Sequence, residues 1–148
     1  MTQQEECEVT LYIDGASSGN PGPSGIGVRV EKAGELLQEF SDYIGRATNN
    51  TAEYRALIQG LQMAKEMGIA SVSVISDSEL VVKQVNGLYR VKNAALLPLY
   101  QQALKLAGRF TPFQIRHVPR SLNREADRLA NEGILKGKRA SGPDGHAR

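Results

Sequence analysis

The sequence lacks several features that would point to particular classes of protein. It has one cysteine, Cys7, which excludes an internal disulfide and fits a reducing compartment. No apolar run approaches the roughly 20 residues that a membrane-spanning helix needs. The first residues, MTQQEECEVT, do not show the basic-then-apolar pattern of a signal peptide. We therefore expect a cytoplasmic protein that does not associate with membranes.

Tryptophan is also absent, and neither sign of charge dominates. The net charge is only +2, which neither requires nor excludes a nucleic-acid partner. Hydrophobic residues make up 41% and charged residues 23% of the 148 residues, as is normal for one globular domain. We assign residues 1–136 to that domain. The polar segment 137–148, which contains glycine and proline, is predicted to be a disordered tail.

The pattern of apolar residues predicts an α/β domain. Alternation predicts strands at 7–13, about 25–31 and about 35–44, with the turn KAGE between the second and third. A helix at about 51–67 precedes the short apolar strand SVSVIS, and two further helices precede the strand FQIRHV. With a last helix, the order is βββαβααβα. It predicts a five-stranded mixed sheet, with three antiparallel strands followed by two parallel ones, flanked by helices.

One carboxylate lies where the first helix should be buried. In TNNTAEYRALIQG, residues 48–60, Glu53 is four positions before Leu57 and shares its apolar face. Asp14 and Asp77 each follow a predicted strand, and Asp127 lies in the first turns of the last helix. Because ligands gather at the carboxyl ends of the strands in such sheets, these four acids are expected to converge there.

Converging carboxylates repel one another unless a cation lies among them. Oxygen ligands without a cluster of cysteine or histidine suit Mg²⁺ or Mn²⁺ rather than zinc. Two such ions could activate a water and stabilise the leaving oxygen of a phosphodiester. The acids therefore indicate a metal-dependent nuclease, with Asp14, Glu53, Asp77 and Asp127 as catalytic metal ligands.

Each acid also has a purely structural interpretation. Asp14 could open a turn before Gly15, Asp77 could cap the helix that follows, and Asp127 could favour a helix N-terminus through the dipole. Glu53 could act on the dipole of its own helix in the same way. These interpretations weaken jointly, since all four acids would have to meet at one sheet edge by chance.

The motifs that carry these acids resemble type 1 ribonuclease H over about residues 8–136. They are YIDGASSGNPGPSGIG, TNNTAEYRALIQGL, VSVISDSELVVKQVNG and NREADRLANEG. The resemblance implies the ribonuclease H-like fold. It also implies an endonuclease that cuts the RNA strand of an RNA–DNA hybrid, with Mg²⁺ or Mn²⁺ as cofactor and two ions bound with the substrate. The products would have 5′-phosphate and 3′-hydroxyl ends.

The resemblance also implies the residues that bind the hybrid. They lie in the loop after the first strand and before the first helix: Gly15, Ser17, Asn20, Arg46, Thr48, Asn49 and Asn50. Small residues in the first loop would permit close approach to the RNA. Arg46 and Thr48 would contact a phosphate of the DNA strand, and Asn49 the minor groove. A structural role is compatible with this, because Asn50 or Thr51 could cap the helix.

The chain departs from the family pattern at two places. Members often have a histidine in a mobile loop before the last Asp; here His117 lies in a predicted strand, and we favour Arg120 as the auxiliary catalytic residue. The Trp- and Lys-rich protrusion of many bacterial members is absent, so the chain is similar to shorter, archaeal-like members. The alternatives left open are a catalytically silent hybrid-binding module and a related nuclease that also cuts double-stranded RNA. We expect a monomer without an obligate protein partner.

Overall fold

Five strands form one mixed sheet in this computed structural model, which describes residues 8–140. The strands are β1 (Glu8–Ser17), β2 (Gly22–Lys32), β3 (Glu35–Ala47), β4 (Ser71–Ser76) and β5 (Phe113–His117), and their order in the sheet is β3-β2-β1-β4-β5. The first three pair in antiparallel fashion, whereas β4 is parallel to β1 and β5 is parallel to β4. The predicted topology is confirmed.

Helices follow in the predicted order. They are α1 (Asn49–Glu66), α2 (Glu79–Val85), α3 (Leu97–Ala107) and α4 (Arg124–Ala140), with a 3₁₀ turn at Arg120–Leu122 before α4. The last helix is longer than expected: residues 137–140 continue α4, so the prediction of a disordered tail from residue 137 is wrong for these four. Residues 141–148, the rest of that predicted tail, lie outside the described residues, as does Cys7. Among the residues described, no helix is long and apolar enough to cross a membrane.

The two faces of the sheet are covered by different helices. Alternate residues of β1 and β2, such as Leu11, Ile13 and Val28, are fully buried in a core that includes Leu57 and Leu61 of α1. Helix α4 packs on the opposite face, against β1, β2 and β3. The apolar periodicity of α1 therefore has the predicted consequence of burying that helix against the sheet.

The turn between β2 and β3 is set by local sequence, whereas the length of β1 is set by its pairing with neighbouring strands. Ala33 and Gly34 both have positive φ values, 53° and 82°, in the KAGE turn between β2 and β3. Two such residues are typical of the tight turns that match strand twist. Strand β1 continues to Ser17 because its pairing with β2 extends to Ser17 opposite Ser24, whereas its pairing with β4 ends at Ile13 opposite Ser76.

Candidate active site

Two of the acids follow paired residues of adjacent parallel strands. Ile13 of β1 is in register with Ser76 of β4, so Asp14 and Asp77 come next on the two strands. Asp14 does not end its strand, as the sequence suggested; it lies at the point where β1 loses its neighbour β4 but keeps β2. Asp77 does not cap α2 either, because the side chain of Ser78 does so by accepting the Val81 N–H.

Glu53 reaches the same point from the second turn of α1. Its Oε1 accepts a hydrogen bond from the backbone N–H of Gly15 at 2.8 Å. Carboxylate oxygens of Asp14, Glu53 and Asp77 all lie within 4.8 Å of one another. A residue on the apolar face of α1 is thus used to place a carboxylate at the carboxyl ends of β1 and β4.

Asp127 joins these acids from the first turn of α4. It lines the same pocket, of about 460 Å³, although it is not one of the three residues whose oxygens lie within 4.8 Å. Its carboxyl group is close enough to add to the rise in the pKa of Asp14, of which burial is the main cause. We call this the active-site pocket; it is lined by Asp14, Gly15, Ala16, Ser17, Asn49, Glu53, Asp77, Arg120, Asp127 and Asn131.

Burial and the closeness of the acids to one another make it unfavourable for all of them to be ionised. Burial, reinforced by the nearby Glu53, Asp77 and Asp127, raises the pKa of Asp14 to about 10. Burial also raises the pKa of Glu53 to about 8, even though the Gly15 N–H and the charge of Arg120 act in the opposite direction. Without a cation, this group therefore retains protons at neutral pH.

The donor set fits a divalent cation. Asp14 is buried, and Oδ2 of Asp77 is a buried oxygen without a hydrogen-bond partner in the described part of the chain. A buried carboxylate oxygen requires a partner, and a cation among the three acids would supply one. Since the group contains only carboxylates, its chemistry favours Mg²⁺ or Mn²⁺ over zinc.

The end of β1 and the loop that follows it are tied to the start of α1 by side-chain amides. Ser17 N–H donates to Oδ1 of Asn49 at 3.0 Å, and Asn49 N–H donates to Oδ1 of Asn20 at 3.0 Å. Ser17 Oγ donates to the carbonyl of Ala47 at 2.9 Å. The structure thus brings Ser17, Asn20 and Asn49 together, and it leaves the amide nitrogens of both asparagines as the groups able to donate to a ligand.

Gly15 has a structural reason for lacking a side chain. A Cβ added there would lie 2.2 Å from the backbone carbon of Ala52 in α1. The glycine is therefore needed for the close approach of α1 to β1, the approach that also forms the bond between Gly15 and Glu53. The expected contact of this backbone with RNA stays a prediction.

The remaining predicted hybrid contacts lie on an exposed surface beside the pocket. Arg46 is near the end of β3, and Thr48 and Asn50 flank the start of α1. Thr48 is the N-cap of α1, because its Oγ1 accepts the Thr51 N–H at 3.2 Å; the prediction of Asn50 or Thr51 as the cap is wrong. Thr48, Arg46 and Asn50 do not line the active-site pocket.

The two auxiliary candidates differ in position. Arg120, in the 3₁₀ turn, lines the active-site pocket, and its positive charge favours the ionised form of Glu53. His117 is the exposed last residue of β5, lies outside the lining of that pocket, and has its electrostatic effect on Glu79 of α2. Geometry therefore places Arg120, and not His117, beside the acids.

Sequence reasoning missed two residues at the site. Asn131 lines the pocket one turn after Asp127, and its Nδ2 donates to the Asp127 carbonyl at 2.9 Å. Asn123 is fully buried and donates from Nδ2 to the carbonyl of Ile13 at 2.8 Å, which fixes the start of α4 beside β1. The four-residue spacing between Asp127 and Asn131 was a signal for the first; the second depends on a contact between residues 110 positions apart.

A family model and relatives of known sequence match most of this chain. A family model described as reverse transcriptase-like matches residues 12–133. The bifunctional protein Rv2228c of Mycobacterium tuberculosis is 47% identical over 129 residues, which are 86% of this chain and 35% of that protein. Ribonuclease HI of Halobacterium salinarum is 44% identical over 127 residues, which are 85% of this chain and 64% of that protein. The chain thus spans about a third of the first relative and under two thirds of the second.

Solved structures agree with the sequence matches. The N-terminal RNase H domain of Rv2228c, solved as a fusion with maltose-binding protein, superposes with a TM-score of 0.87 at 44% identity, covering 91% of this chain and 99% of that one. LC11-RNase H1, solved in complex with an RNA/DNA hybrid, gives a TM-score of 0.83 at 40% identity, covering 87% of this chain and 98% of that one. The fold, the gathered acids and these matches show that this chain belongs to the type 1 ribonuclease H family.

Proposed function

We propose that this chain is an endonuclease that hydrolyses the RNA strand of RNA–DNA hybrids with the help of divalent cations. The observation that carries the proposal is the convergence of Asp14, Glu53 and Asp77, whose oxygens lie within 4.8 Å of one another in a polar pocket. The name of the Halobacterium relative and the hybrid bound to LC11-RNase H1 support the substrate class.

The acids have the principal role in the proposed reaction. Asp14, Glu53 and Asp77 would hold the cation, and Asp127, which lines the same pocket, would help to hold a second ion. Two Mg²⁺ or Mn²⁺ ions bound there would activate a water and offset the charge that develops on the leaving oxygen. The water gives up a proton to solvent as its oxygen bonds to phosphorus, the bond from phosphorus to O3′ breaks, and O3′ takes up a proton from solvent, so that one water is consumed for each cut. The products are a 5′-phosphate and a 3′-hydroxyl.

Protonation of the acids must change before they can act as ligands. Asp14 and Glu53 hold protons at neutral pH in the absence of a cation, because burial raises the pKa of both. Cation binding has to displace those protons, so affinity for the metal rises with pH. The Gly15 N–H holds Glu53 in a fixed orientation throughout, since it bonds to Oε1.

Groups around the acids provide the proposed contacts with the hybrid. Arg120 supplies a positive charge at the pocket for the scissile phosphate or the departing product, and it remains our auxiliary residue. The asparagine amides at 20 and 49 can donate to substrate oxygens, and Arg46 with Thr48 can bind a phosphate of the DNA strand. Phosphate contacts set register without reading bases, so the proposal includes little sequence preference.

The test is cleavage of one labelled RNA strand paired with DNA, paired with RNA, or single-stranded. We expect Mg²⁺- or Mn²⁺-dependent cutting of the hybrid alone, with 5′-phosphate ends on the products. Asp14→Asn should abolish cutting, whereas the matched variant Asp42→Asn, on the exposed part of β3, should retain it.

The other outcomes separate the remaining interpretations. If double-stranded RNA were cut as well, Arg46, Thr48 and Asn49 would distinguish a DNA strand from an RNA strand less strongly than we propose. Tight binding of the hybrid without cutting under any condition would make the chain a binding module. The proposal places the protein in the cytoplasm as a monomer, and light scattering of the purified chain tests the second part.

A further inference from the structure

Lys138 has a fixed position on α4 and does not belong to a tail. Helix α4 continues to Ala140, and Lys138 stands eleven positions after Asp127. Residues at 127, 131, 134 and 138 follow the spacing of one helix face. The face of α4 that presents Asp127 to the acids therefore also carries Lys138, at a distance of about 16 Å along the helix axis.

A groove connects that lysine with the active-site pocket. We call it the α4 groove; it has a volume of about 290 Å³ and is lined by Ser17, Ser18, Asn131, Ile134, Leu135 and Lys138. Ser17 and Asn131 line both the groove and the active-site pocket. One wall is the end of β1 with the loop after it, the other is α4, and the two sites adjoin at Ser17 and Asn131.

The groove has the chemistry of a surface for a nucleic-acid strand. Within residues 8–140, Lys138 makes no hydrogen bond or ion pair, whereas Lys136 donates to the carbonyl of Ser41. Leu135 is 46% exposed on the same wall, so an apolar surface is offered beside the cation. A negatively charged chain with apolar sugar faces complements this combination.

We propose that the α4 groove holds the RNA strand beyond the scissile phosphate and that Lys138 binds one of its phosphates. This inference rests on the proposed function. The strand in the groove is the cleaved one, because the groove opens from the pocket where the cut phosphate lies. A span of about 16 Å corresponds to about five nucleotides of a duplex.

The first measurement is binding of a labelled hybrid in an Asp14→Asn background, where turnover is absent. Adding Lys138→Ala should weaken binding about threefold to fivefold at low salt and reduce the slope of log K against log salt by about 1. The matched control is Arg139→Ala, which makes the same charge change on the same turn at a residue that does not line the groove. It should leave binding nearly unchanged.

The second measurement is the pattern of cuts along one hybrid by the otherwise wild-type chain. Lys138→Ala should slow interior cuts but leave unchanged those within about five nucleotides of one RNA end, where no phosphate reaches the groove. Equal losses for Lys138→Ala and Arg139→Ala, or an equal slowing of cuts at all positions, would overturn the inference. If the wild-type chain cut no hybrid, the proposed function would fail, and the binding measurement would still decide the role of Lys138.

Discussion

At the scale of single residues, Asp14 would have to be ionised to bind a metal, yet its surroundings in the folded protein disfavour the ionised form. It is 4% exposed, faces three other acids, and has a pKa raised to about 10. Its folded-state pKa thus lies above the ordinary value of 3.8. The contribution of Asp14 to the free energy of unfolding is therefore complete below about pH 4, where the group is protonated in both states. It is lost as the pH rises towards 10.

Replacing Asp14 with Asn should therefore stabilise the metal-free protein. The amide keeps the shape and the donor but cannot ionise, so we expect the free energy of unfolding at pH 8 to rise by on the order of 2 kcal/mol. The gain should shrink at pH 5, and saturating Mg²⁺ should stabilise only the wild type. Urea unfolding at the two pH values, with and without Mg²⁺, measures this. A lower stability of Asp14→Asn at pH 8 without metal would contradict it.

Asn49 allows structure and binding to be separated at one residue. Its Oδ1 accepts the Ser17 N–H, and it is the first residue of α1. Asn49→Asp keeps the acceptor and favours the helix N-terminus, so stability should be unchanged or slightly higher. It replaces the free donor with a negative charge, so KM for the hybrid should rise at least fivefold. Asn49→Ala should lower both stability and affinity. An unchanged KM for Asn49→Asp would remove this residue from the substrate contacts.

At the scale of elements, the close approach of α1 to β1 positions Glu53, the glutamate of the proposed catalytic group. A methyl group at Gly15 would lie 2.2 Å from the Ala52 backbone, so Gly15→Ala must push α1 away. We expect a loss of at least about 2 kcal/mol in stability and a loss of activity of more than tenfold, because Glu53 moves with α1. Gly108→Ala is the control, since its nearest neighbour would be at 3.5 Å. Full activity of Gly15→Ala would contradict this account.

A buried hydrogen bond joins α1 to α2 behind the site. Tyr54 is fully buried, and its hydroxyl donates to Oε1 of Gln84 at 2.6 Å. Tyr54→Phe leaves that oxygen without its partner, and we expect a loss of about 1 to 3 kcal/mol in the free energy of unfolding. Tyr43→Phe, at a partly buried residue of β3, should change stability by less than about 0.5 kcal/mol. Equal effects in chemical denaturation would show that the Tyr54 bond contributes nothing specific.

At the scale of the whole molecule, the topology was predictable because each element carries a local signal. The alternation in β1, the apolar face around Leu57 and the turn at Ala33 and Gly34 all follow rules that act within about ten residues. The convergence of the acids was predictable as well, since parallel strands end at one edge of the sheet.

Features that depend on distant contacts were not predictable. The continuation of β1 past Asp14 depends on pairing with β2. Lys138 was assigned to a tail because its neighbours are polar, yet the packing of α4 on the sheet extends that helix to Ala140. In each case tertiary packing decided what local composition left open.

The central claim is that carboxylates gathered at one sheet edge use divalent cations to cut RNA paired with DNA. The most direct measurement is the rate of RNA-strand cleavage in one hybrid as Mg²⁺ is raised from zero, for the wild type and Asp14→Asn. Our account predicts no cleavage after chelation, a rate that depends on more than one Mg²⁺ ion, and no cleavage by Asp14→Asn at any concentration. Cleavage that survives chelation, or an Asp14→Asn rate within tenfold of the wild type, would contradict it.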